Sequence, residues 1–341
     1  MRDCKSLRMI GIIWYEVNNI SIMRDAINNF PKQFAFEPEV VNAEKLATAK
    51  KFVVCGMGGS NLAADVLRIW DPSLDIITHR DYGLPVAGDL KKRLVILSSY
   101  SGNTEEVLAA WDEIHTHGVP VAVLATGGEL LKRAQEAGVA HVVMPETGIQ
   151  PRMSFGFNIR GLMKLMGLEV ALDESKQLAT SLDPAAAEKQ GKKLAARLKG
   201  SVPVIYSSLR NHGIARNWKI KFNETGKIPA FYNSLPELNH NEMTGFDVAD
   251  ASRALSEHFY FLILKDPEDN PRIHKRMEIL EKLYADRGLS VETITLEGDA
   301  AFYKAAVALM IADWAAFYTA EGYGLESEQV PMVEEFKKLI K

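Results

Sequence analysis

The sequence predicts an α/β protein with two domains, each a mostly parallel sheet flanked by helices. Short apolar strands alternate with helical segments along most of the 341 residues. Each strand is apolar at nearly every position, which is typical of a parallel sheet that is covered on both faces. The alternation runs twice, before and after a polar stretch at 174–184, and a chain of this length commonly forms two domains.

The first alternating series predicts one sheet with its covering helices. An initial helix is expected over 21–33, ending near a proline. Apolar runs predict strands at 52–55, 74–78, 94–98, 119–125 and 141–144. Helical spacing predicts helices at 61–70, 129–137 and 152–168, and one that follows the third strand and ends near 115.

The second series repeats this pattern without a residue-level repeat. Strands are expected at 202–207, 259–264 and 291–296, and helices at 210–223, 271–287, 300–320 and 331–341. The 300–320 helix is apolar but contains Lys304 and Asp313, so it is predicted to be a buried core helix rather than a membrane span. The expected organisation is an extension at 1–20, a first domain at 21–172 and a second at 173–341.

Composition narrows the class of protein. A hydrophobic content of 47% and a charged content of 25% are ordinary for a soluble globular protein. The formal net charge of −4 argues against a general nucleic-acid binder. Cys4 and Cys55 are the only two cysteines, so there is no disulfide framework, which fits a reducing cytosol and predicts a cytoplasmic protein.

The turn Ser99–Thr104 is the strongest functional signal in the sequence. It joins a buried strand to a helix, and the first turn of a helix carries unpaired N–H groups that favour an anion, above all a phosphate. Ser99, Ser101 and Thr104 add three hydroxyl donors to this turn. Helix capping by Thr104 or Asn103 is the alternative, but capping needs one such side chain rather than three.

A second turn, Gly56–Ser60, also lies between a strand and a helix. Glycine there lets backbone N–H groups approach a ligand closely. The dinucleotide-binding pattern would need glycine where Asn61 stands, so this turn alone indicates only a tight connection. Both turns are expected at the carboxyl ends of parallel strands, where open α/β sheets bind ligands.

Further polar residues are candidates for catalysis. Arg152 opens a helix, where its charge is poorly placed for the dipole, so it is either solvated or directed at an anion. Glu224, His240 and Glu242 are acid/base candidates in a polar stretch without helical periodicity, although a solvated loop with ordinary ion pairs is the alternative for each. The sequence shows no set of residues with metal-ligand spacing, so no metal site is predicted.

Four segments in this order closely resemble the bifunctional phosphoglucose/phosphomannose isomerase family, which is built from two sugar isomerase (SIS) domains. They are Gly56-Met57-Gly58-Gly59-Ser60, Ser99-Tyr100-Ser101-Gly102-Asn103-Thr104, Asn223-Glu224 and Glu237-Leu238-Asn239-His240-Asn241-Glu242. The resemblance covers roughly 22–341. The hydroxyl-rich turn indicates only a phosphosugar SIS domain, and the segments around 223 and 240 narrow it to this family.

The resemblance implies a phosphate-binding role for residues in both turns of the first domain. Ser99, Ser101 and Thr104 match the residues that hold the sugar phosphate, with Gly59 and Ser60 nearby. The implied substrates are fructose 6-phosphate, glucose 6-phosphate and mannose 6-phosphate. Neither a metal nor any other cofactor is implied.

The catalytic roles are implied in the same way. Glu224 matches the base that moves a proton between C1 and C2, and Arg152 matches the arginine that stabilises the enediolate. His240 matches the ring-opening histidine, which in this family comes from the neighbouring subunit of a homodimer. Lys337 matches the C-terminal lysine that assists at the ring oxygen, and Lys338 competes for that role.

One departure from the family bears on substrate choice. Val330 precedes Pro331 where the family usually has threonine, which is thought to accommodate the C2 epimer. The resemblance therefore implies mannose 6-phosphate activity less firmly than glucose 6-phosphate activity. The chemistry itself needs a carboxylate base, an electrophile for the developing oxyanion and an acid/base pair for ring opening.

Three other functions are compatible with parts of the sequence. A non-catalytic phosphosugar-binding SIS regulator would explain the hydroxyl-rich turn but leave Glu224 and His240 without roles. An amidotransferase-type isomerase would be expected to carry a glutaminase domain before the first SIS domain. A dinucleotide-dependent oxidoreductase is disfavoured by Asn61.

Overall fold

The computed structural model describes residues 22–340, which form two compact units. The first unit comprises Asn29–Leu182 and Gly298–Ala306. The second unit comprises the described residues up to Asn28, Asp183–Glu297, and the residues from Val307 onward. The predicted extension at 1–20 lies outside the described residues.

The first unit contains a five-stranded sheet in which every strand is parallel to its neighbours. The strand order is β2-β1-β3-β4-β5. The strands are β1 (Lys51–Cys55), β2 (Asp75–His79), β3 (Leu94–Ser99), β4 (Val121–Ala125) and β5 (His141–Val143). Strand β3 is buried at all positions, as expected for a central strand covered on both faces.

Six α-helices of the described residues lie in the first unit with this sheet. Helix α1 (22–28) precedes them and belongs to the second unit. Those of the first unit are α2 (Gly59–Trp70), α3 (Glu105–His117), α4 (Gly128–Glu136), α5 (Phe155–Met166), α6 (Glu169–Lys176) and α7 (Leu178–Ser181). Apolar side chains of α3 and α4, including Val107, Trp111 and Leu130, pack with Val53 and Val95 of the sheet. The predicted alternation of strands and helices in this half is therefore confirmed.

The first unit extends beyond the expected boundary at 172. Arg160 of α5 is fully buried, and its guanidinium donates to the carbonyl oxygen of Leu172 and the hydroxyl of Ser175, both at 2.8 Å. A buried charge needs such partners, so these bonds hold α6 on the first unit. The polar stretch expected as a domain junction is consequently helical over much of its length.

The second unit repeats the strand order of the first with one strand fewer. Its parallel sheet has the order β7-β6-β8-β9, which matches β2-β1-β3-β4. The strands are β6 (Val202–Ser208), β7 (Phe231–Leu235), β8 (Phe259–Lys265) and β9 (Ser290–Thr295). The duplication inferred from the sequence pattern is thus present in the topology.

The second unit also contains α1 and most of the later helices. They are α8 (Pro184–Arg197), α9 (His212–Glu224), α10 (Glu242–Gly245), α11 (Pro271–Asp286), α12 (Ala301–Gly322) and α13 (Pro331–Leu339). Residues 301–306 of α12 are assigned to the first unit. By length and composition α12 could cross a membrane, but 78% of its apolar window is buried, as predicted for a core helix. Its Asp313 is paired with Lys221 at 2.5 Å, which compensates the buried charge.

Strand β7, helix α8 and the short helix α10 of the second unit were not predicted. Strand β7 is an edge strand that contains Asn233 and Ser234, so it lacks the continuous apolar run of a central strand. Helix α8 is rich in lysine and alanine, and its beginning is marked by Asp183, whose side chain accepts hydrogen bonds from Ala185 and Ala186, both at 3.0 Å. Aspartate followed by proline is a strong helix-start signal that a search for apolar periodicity does not detect.

Candidate active site

The hydroxyl-rich turn lies between β3 and α3, as the sequence predicted. The hydroxyl oxygens of Ser99 and Thr104 are 2.8 Å apart, and the backbone N–H of Gly102 donates to the Ser99 hydroxyl at 3.0 Å. Ser99 is buried, Thr104 is half-buried, and Ser101 is exposed. The turn therefore contains one buried, one half-buried and one exposed hydroxyl group.

Capping does not account for these hydroxyl groups. Thr104 occupies the N-cap position of α3, but its side chain makes no capping hydrogen bond. The Asn103 side chain points elsewhere: its Oδ1 accepts from the backbone N–H of Glu129 at 3.0 Å, and its Nδ2 donates to the carbonyl oxygen of Ser101 at 3.2 Å. The first N–H groups of α3 are thus left without a side-chain cap, which is the arrangement that binds phosphate at a helix N-terminus.

Gly102 is required for the shape of this turn. Its φ of +69° lies in the left-handed region, which residues other than glycine adopt at a cost. A Cβ atom at this position would come within 1.8 Å of the carbonyl oxygen of Gly127. The turn is therefore packed directly against the loop that begins α4.

The glycine-rich turn Gly56–Ser60 is adjacent to the hydroxyl-rich turn because β1 pairs with β3. Gly59 and Ser60 begin α2, and no side chain caps this helix either. Asn61, which disagrees with a dinucleotide fingerprint, is fully buried and donates to the carbonyl oxygens of Gly56 at 3.0 Å and His79 at 3.2 Å. It ties α2 to the ends of two strands, so its presence has a structural reason.

Arg152 lies beside the glycine-rich turn. It belongs to a short 3-10 helix, Pro151–Met153, and is only 5% exposed. A Cβ atom at Gly59 would lie 3.4 Å from the Cα atom of Arg152 and 3.1 Å from the carbonyl oxygen of Pro151, so the two backbones are in close contact. The structure thus brings Arg152 to the same edge of the sheet as Gly59, Ser60, Ser99 and Thr104.

A buried polar network beneath these turns was not predicted. Asn158 of α5 donates to the hydroxyl of Ser154 at 2.7 Å, and its Oδ1 accepts from the Ser98 hydroxyl at 3.4 Å. Ser98 and Ser154 are fully buried, so these bonds connect the last residues of β3 to the segment that follows Arg152. An asparagine between Phe157 and Ile159, in a mainly apolar helix, was the available signal.

Glu224 is the last residue of α9 in the second unit and is half-buried. The Lys227 ammonium donates to the carbonyl oxygen of Glu224 at 2.6 Å and also to the carbonyl oxygen of Gln329. Gln329 comes just before α13, the helix that carries Lys337. Lys227 therefore connects the end of α9, which carries Glu224, to the residues just before α13, which carries Lys337.

His240 ends a 3-10 helix, Glu237–His240, and is exposed. Within the part of the chain that the structure describes, nothing hydrogen-bonds to its ring. The neighbouring side chains are fixed instead: Asn241 donates to Glu237 at 2.7 Å and accepts from the backbone N–H of Glu242 at 2.6 Å. The segment is held while the imidazole remains available to a ligand.

Lys337 and Lys338 both lie on α13 and are both exposed. Lys337 pairs with Glu334 at 2.8 Å. The apolar face of α13 is formed by Met332, Phe336 and Leu339, which are 81%, 60% and 78% exposed.

The turn of the second unit that corresponds to the hydroxyl-rich turn has different chemistry. It follows β8 and contains Asp266 and Asp269, both buried, in place of serine and threonine. Asn211, at the start of α9, donates to Asp266 at 3.2 Å, and Arg210 pairs with Glu268 at 2.6 Å. Burial raises the pKa of the Asp269 carboxyl above its usual range. This turn offers carboxylates where the hydroxyl-rich turn offers hydrogen-bond donors.

No group of three or more histidine, cysteine, aspartate or glutamate side chains lies close enough to hold a metal ion within residues 22–340. Cys55, at the end of β1, is buried, and burial raises the pKa of its thiol to about 12. Its thiol is therefore protonated at neutral pH and poorly suited to act as a nucleophile or metal ligand.

The chain is similar to known proteins over most of its length. Residues 187–340 match the family model described as the bacterial phospho-glucose isomerase C-terminal SIS domain. The bifunctional phosphoglucose/phosphomannose isomerase of Aquifex aeolicus is 32% identical over 92% of this chain and 97% of its own length. The protein of the same name from Caldicellulosiruptor bescii is 30% identical over 92% of this chain and 98% of its own length.

A solved structure supports the fold. A hypothetical protein from Thermus thermophilus superimposes with a TM-score of 0.67 at 17% sequence identity, over 94% of this chain and 89% of that protein. At this identity the likeness concerns the fold alone. The sequence relatives, which are matched over nearly their whole length, support a catalytic isomerase rather than a non-catalytic regulator. The chain belongs to the bifunctional phosphoglucose/phosphomannose isomerase family.

Proposed function

We propose that this isomerase interconverts glucose 6-phosphate and mannose 6-phosphate with fructose 6-phosphate by proton transfer through a cis-enediol, without a metal ion. The observation that carries this proposal is the uncapped start of α3 beside three hydroxyl side chains, in a chain of this family. That arrangement suits the phosphate of a sugar phosphate. Val330 makes glucose 6-phosphate the better supported aldose.

In this proposal the protein holds the substrate through its phosphate group. Ser99, Ser101 and Thr104 donate to its oxygens together with backbone N–H groups of α3, and Gly59 and Ser60 lie beside it. Bonds to a charged group are stronger than bonds between neutral groups, so they can fix the reacting carbons. Binding energy from this remote group then orients the sugar for proton transfer.

Proton transfer between C1 and C2 is assigned to Glu224. Removing a proton next to a carbonyl generates negative charge on the carbonyl oxygen, which needs an electrophile. Arg152 takes this role because its guanidinium stays charged at any physiological pH and its side chain is buried beside the phosphate-binding turns. Glu224 then returns the proton to the other carbon, so the base is regenerated in each turnover.

Ring opening is assigned to His240 and Lys337. The substrate enters mainly as a closed ring, so one group must move a proton from the anomeric hydroxyl and another must assist at the ring oxygen. Lys337 and Lys338 are neighbours on α13, and both lie off the face formed by Met332, Phe336 and Leu339. Lys337 is assigned because it matches the C-terminal lysine of the family, and Lys338 stays the competing choice.

The proposed working form is a cytoplasmic homodimer in which each subunit supplies His240 to its partner. The exposed, unbonded ring of His240 is compatible with use by another subunit. Support for the cytoplasm comes from the absence of a disulfide framework in the sequence.

The activity is tested directly by incubating the protein with fructose 6-phosphate in excess EDTA, without added metal or nucleotide, and measuring glucose 6-phosphate and mannose 6-phosphate. Both aldoses are expected, and preparations of the Glu224→Gln variant serve as the control for contaminating isomerase. Formation of neither aldose would contradict the proposed function. Activity that disappears with EDTA and returns with zinc would contradict the metal-independent mechanism.

A further inference from the structure

Glu242 joins two strands of the second sheet through its carboxylate. Its Oε1 accepts from the hydroxyl of Tyr206 on β6 at 2.5 Å, and its Oε2 accepts from Nδ2 of Asn233 on β7 at 2.5 Å. Tyr206 and Asn233 are direct partners in the register of these strands, so both side chains leave the sheet on the same face. Each oxygen of the carboxylate is thus bound by a donor anchored in the sheet.

These donors are well suited to hold a carboxylate permanently. Tyr206 is fully buried, and burial, together with the neighbouring Tyr284 and the Glu242 carboxylate, raises the pKa of its hydroxyl far above the physiological range. The hydroxyl therefore remains protonated and donates. Asn233 cannot reverse its amide freely, because its Oδ1 accepts from the backbone N–H of Ser234 at 2.8 Å.

Glu242 is two residues from His240, and hydrogen bonds hold the segment between them. The backbone N–H of Glu242 donates to the Asn241 side chain at 2.6 Å, and Asn241 donates to Glu237 on the other side of His240 at 2.7 Å. Asn239 accepts from Arg276 of α11 at 3.2 Å. The backbone that carries the imidazole is therefore fixed to the sheet on both sides, by the buried side chain of Leu238 before His240 and by the carboxylate of Glu242 after it.

We propose that Glu242 is a positioning residue for ring opening: by binding Tyr206 and Asn233 it holds the His240 segment at the place where the imidazole meets the anomeric hydroxyl. This inference rests on the proposed function, in which His240 opens the ring. With both oxygens bound by sheet donors, Glu242 does not move a proton itself. Its loss should harm the step that His240 performs and leave the proton transfer at C1 and C2 largely intact.

The two steps can be separated with 5-deoxyfructose 6-phosphate. This ketose lacks the hydroxyl that closes the furanose ring, and its terminal oxygen carries the phosphate, so it is always open. Glu242→Gln leaves one acceptor oxygen for the two donors Tyr206 and Asn233, and Asn233→Asp presents a carboxylate to the Glu242 carboxylate. Displacement of a catalytic group by about 1 Å costs on the order of 100-fold. Each variant is therefore expected to lower kcat/KM for glucose 6-phosphate by about 10- to 100-fold and to change that for 5-deoxyfructose 6-phosphate by less than about threefold.

The reciprocal double variant distinguishes positioning from general damage. In Asn233→Asp with Glu242→Gln, the glutamine donates to the new carboxylate and still accepts from Tyr206, so activity on glucose 6-phosphate should recover to within about threefold of the wild type. Glu242→Gln added to His240→Ala should cost nothing more on that substrate, because both act in the same step. Glu281→Gln, which alters a carboxylate that accepts from Thr293 at 2.9 Å, is the matched control and should leave both substrates unaffected.

Three outcomes would overturn the positioning role of Glu242. They are unchanged glucose 6-phosphate turnover in both single variants, equal losses on the open and closed substrates, and a further loss in the His240→Ala background. A variant that does not fold would be identified by its circular dichroism, and the reciprocal pair then decides: recovery supports the positioning role and no recovery refutes it. Wild-type protein inactive on both substrates would instead refute the proposed function.

Discussion

The hydroxyl groups of Ser99 and Thr104 lie 2.8 Å apart across the turn from β3 to α3. Thr104 stands at the N-cap position of α3 but directs its hydroxyl at Ser99 instead of at the helix N–H groups. The Thr104 hydroxyl could have bonded to the first N–H groups of α3. It bonds to Ser99 instead, so those N–H groups stay without a side-chain cap. An anion bound here would be contacted by both the hydroxyl pair and these N–H groups.

This relationship predicts the effect of removing single hydroxyl groups. Ser101→Ala and Thr104→Ala should each raise KM for fructose 6-phosphate by roughly 10- to 100-fold, because a hydrogen bond to a charged group contributes about 1.5–3 kcal/mol. Some loss of kcat is also expected, since the phosphate orients the sugar. Steady-state kinetics provide the measurement. Thr116→Ala, at an exposed hydroxyl on α3 that donates to Glu113 at 2.7 Å, is the control. Unchanged kinetics in both test variants would remove the phosphate from this turn.

Gly102→Ala should damage the turn far more than an ordinary glycine substitution. The alanine would have a left-handed backbone and a Cβ atom 1.8 Å from the carbonyl oxygen of Gly127. Gly118→Ala is a matched control, because Gly118 has a φ of +59° and a Cβ atom added there would meet nothing within 4 Å. The control should lose about 1–2 kcal/mol of unfolding free energy, from backbone strain alone. Denaturant unfolding should show a clearly larger loss for Gly102→Ala, and equal losses would contradict the packing described for this turn.

Glu224→Gln should abolish proton transfer without abolishing binding. Loss of a general base costs about 10²–10⁴ in rate, and the amide keeps the shape of the carboxylate but cannot accept the proton. Exchange of the C2 hydrogen of glucose 6-phosphate with solvent deuterium, followed by NMR, should slow by that factor, while fructose 6-phosphate still binds. Glu169→Gln, which removes an exposed partner of Lys164, should exchange at the wild-type rate. Wild-type exchange in Glu224→Gln would assign the base to another residue, with Glu237 the next candidate.

The two lysines of α13 should differ when each is replaced by alanine. Lys337→Ala is expected to lower kcat for glucose 6-phosphate by at least about tenfold, because it removes a proton donor from ring opening. Lys338→Ala, at the next position of the same short helix, is the control and should stay within about twofold of the wild type. The reverse order of effects would exchange the two assignments.

Much of the fold could be predicted because its central strands are apolar over most of their length. The strands β1, β3, β6 and β8 are inner strands of the two sheets, and each corresponds to a run found in the sequence. Strand β7 could not be found in that way, because an edge strand carrying Asn233 and Ser234 has no apolar run. Its pairing with β6 depends on contacts between residues distant in sequence.

The candidate residues could be found because hydroxyl, glycine and acidic residues cluster in short segments. The local geometry of these residues could not be predicted from the sequence. Nothing in the sequence shows that the Thr104 hydroxyl bonds to Ser99 rather than to α3, or that Asn61 ties α2 to two strand ends. From the sequence Glu242 is only one of several acid/base candidates, and the register of β6 and β7 is needed to show that its carboxylate is bound to Tyr206 and Asn233.

The shared strand order of the two sheets has a consequence for stoichiometry. A duplicated fold has two equivalent turns where an anion could bind, one after β3 and one after β8. The turn after β8 contains Asp266 and Asp269, whose carboxylate oxygens would repel a phosphate. Each chain should therefore take up one sugar phosphate and not two.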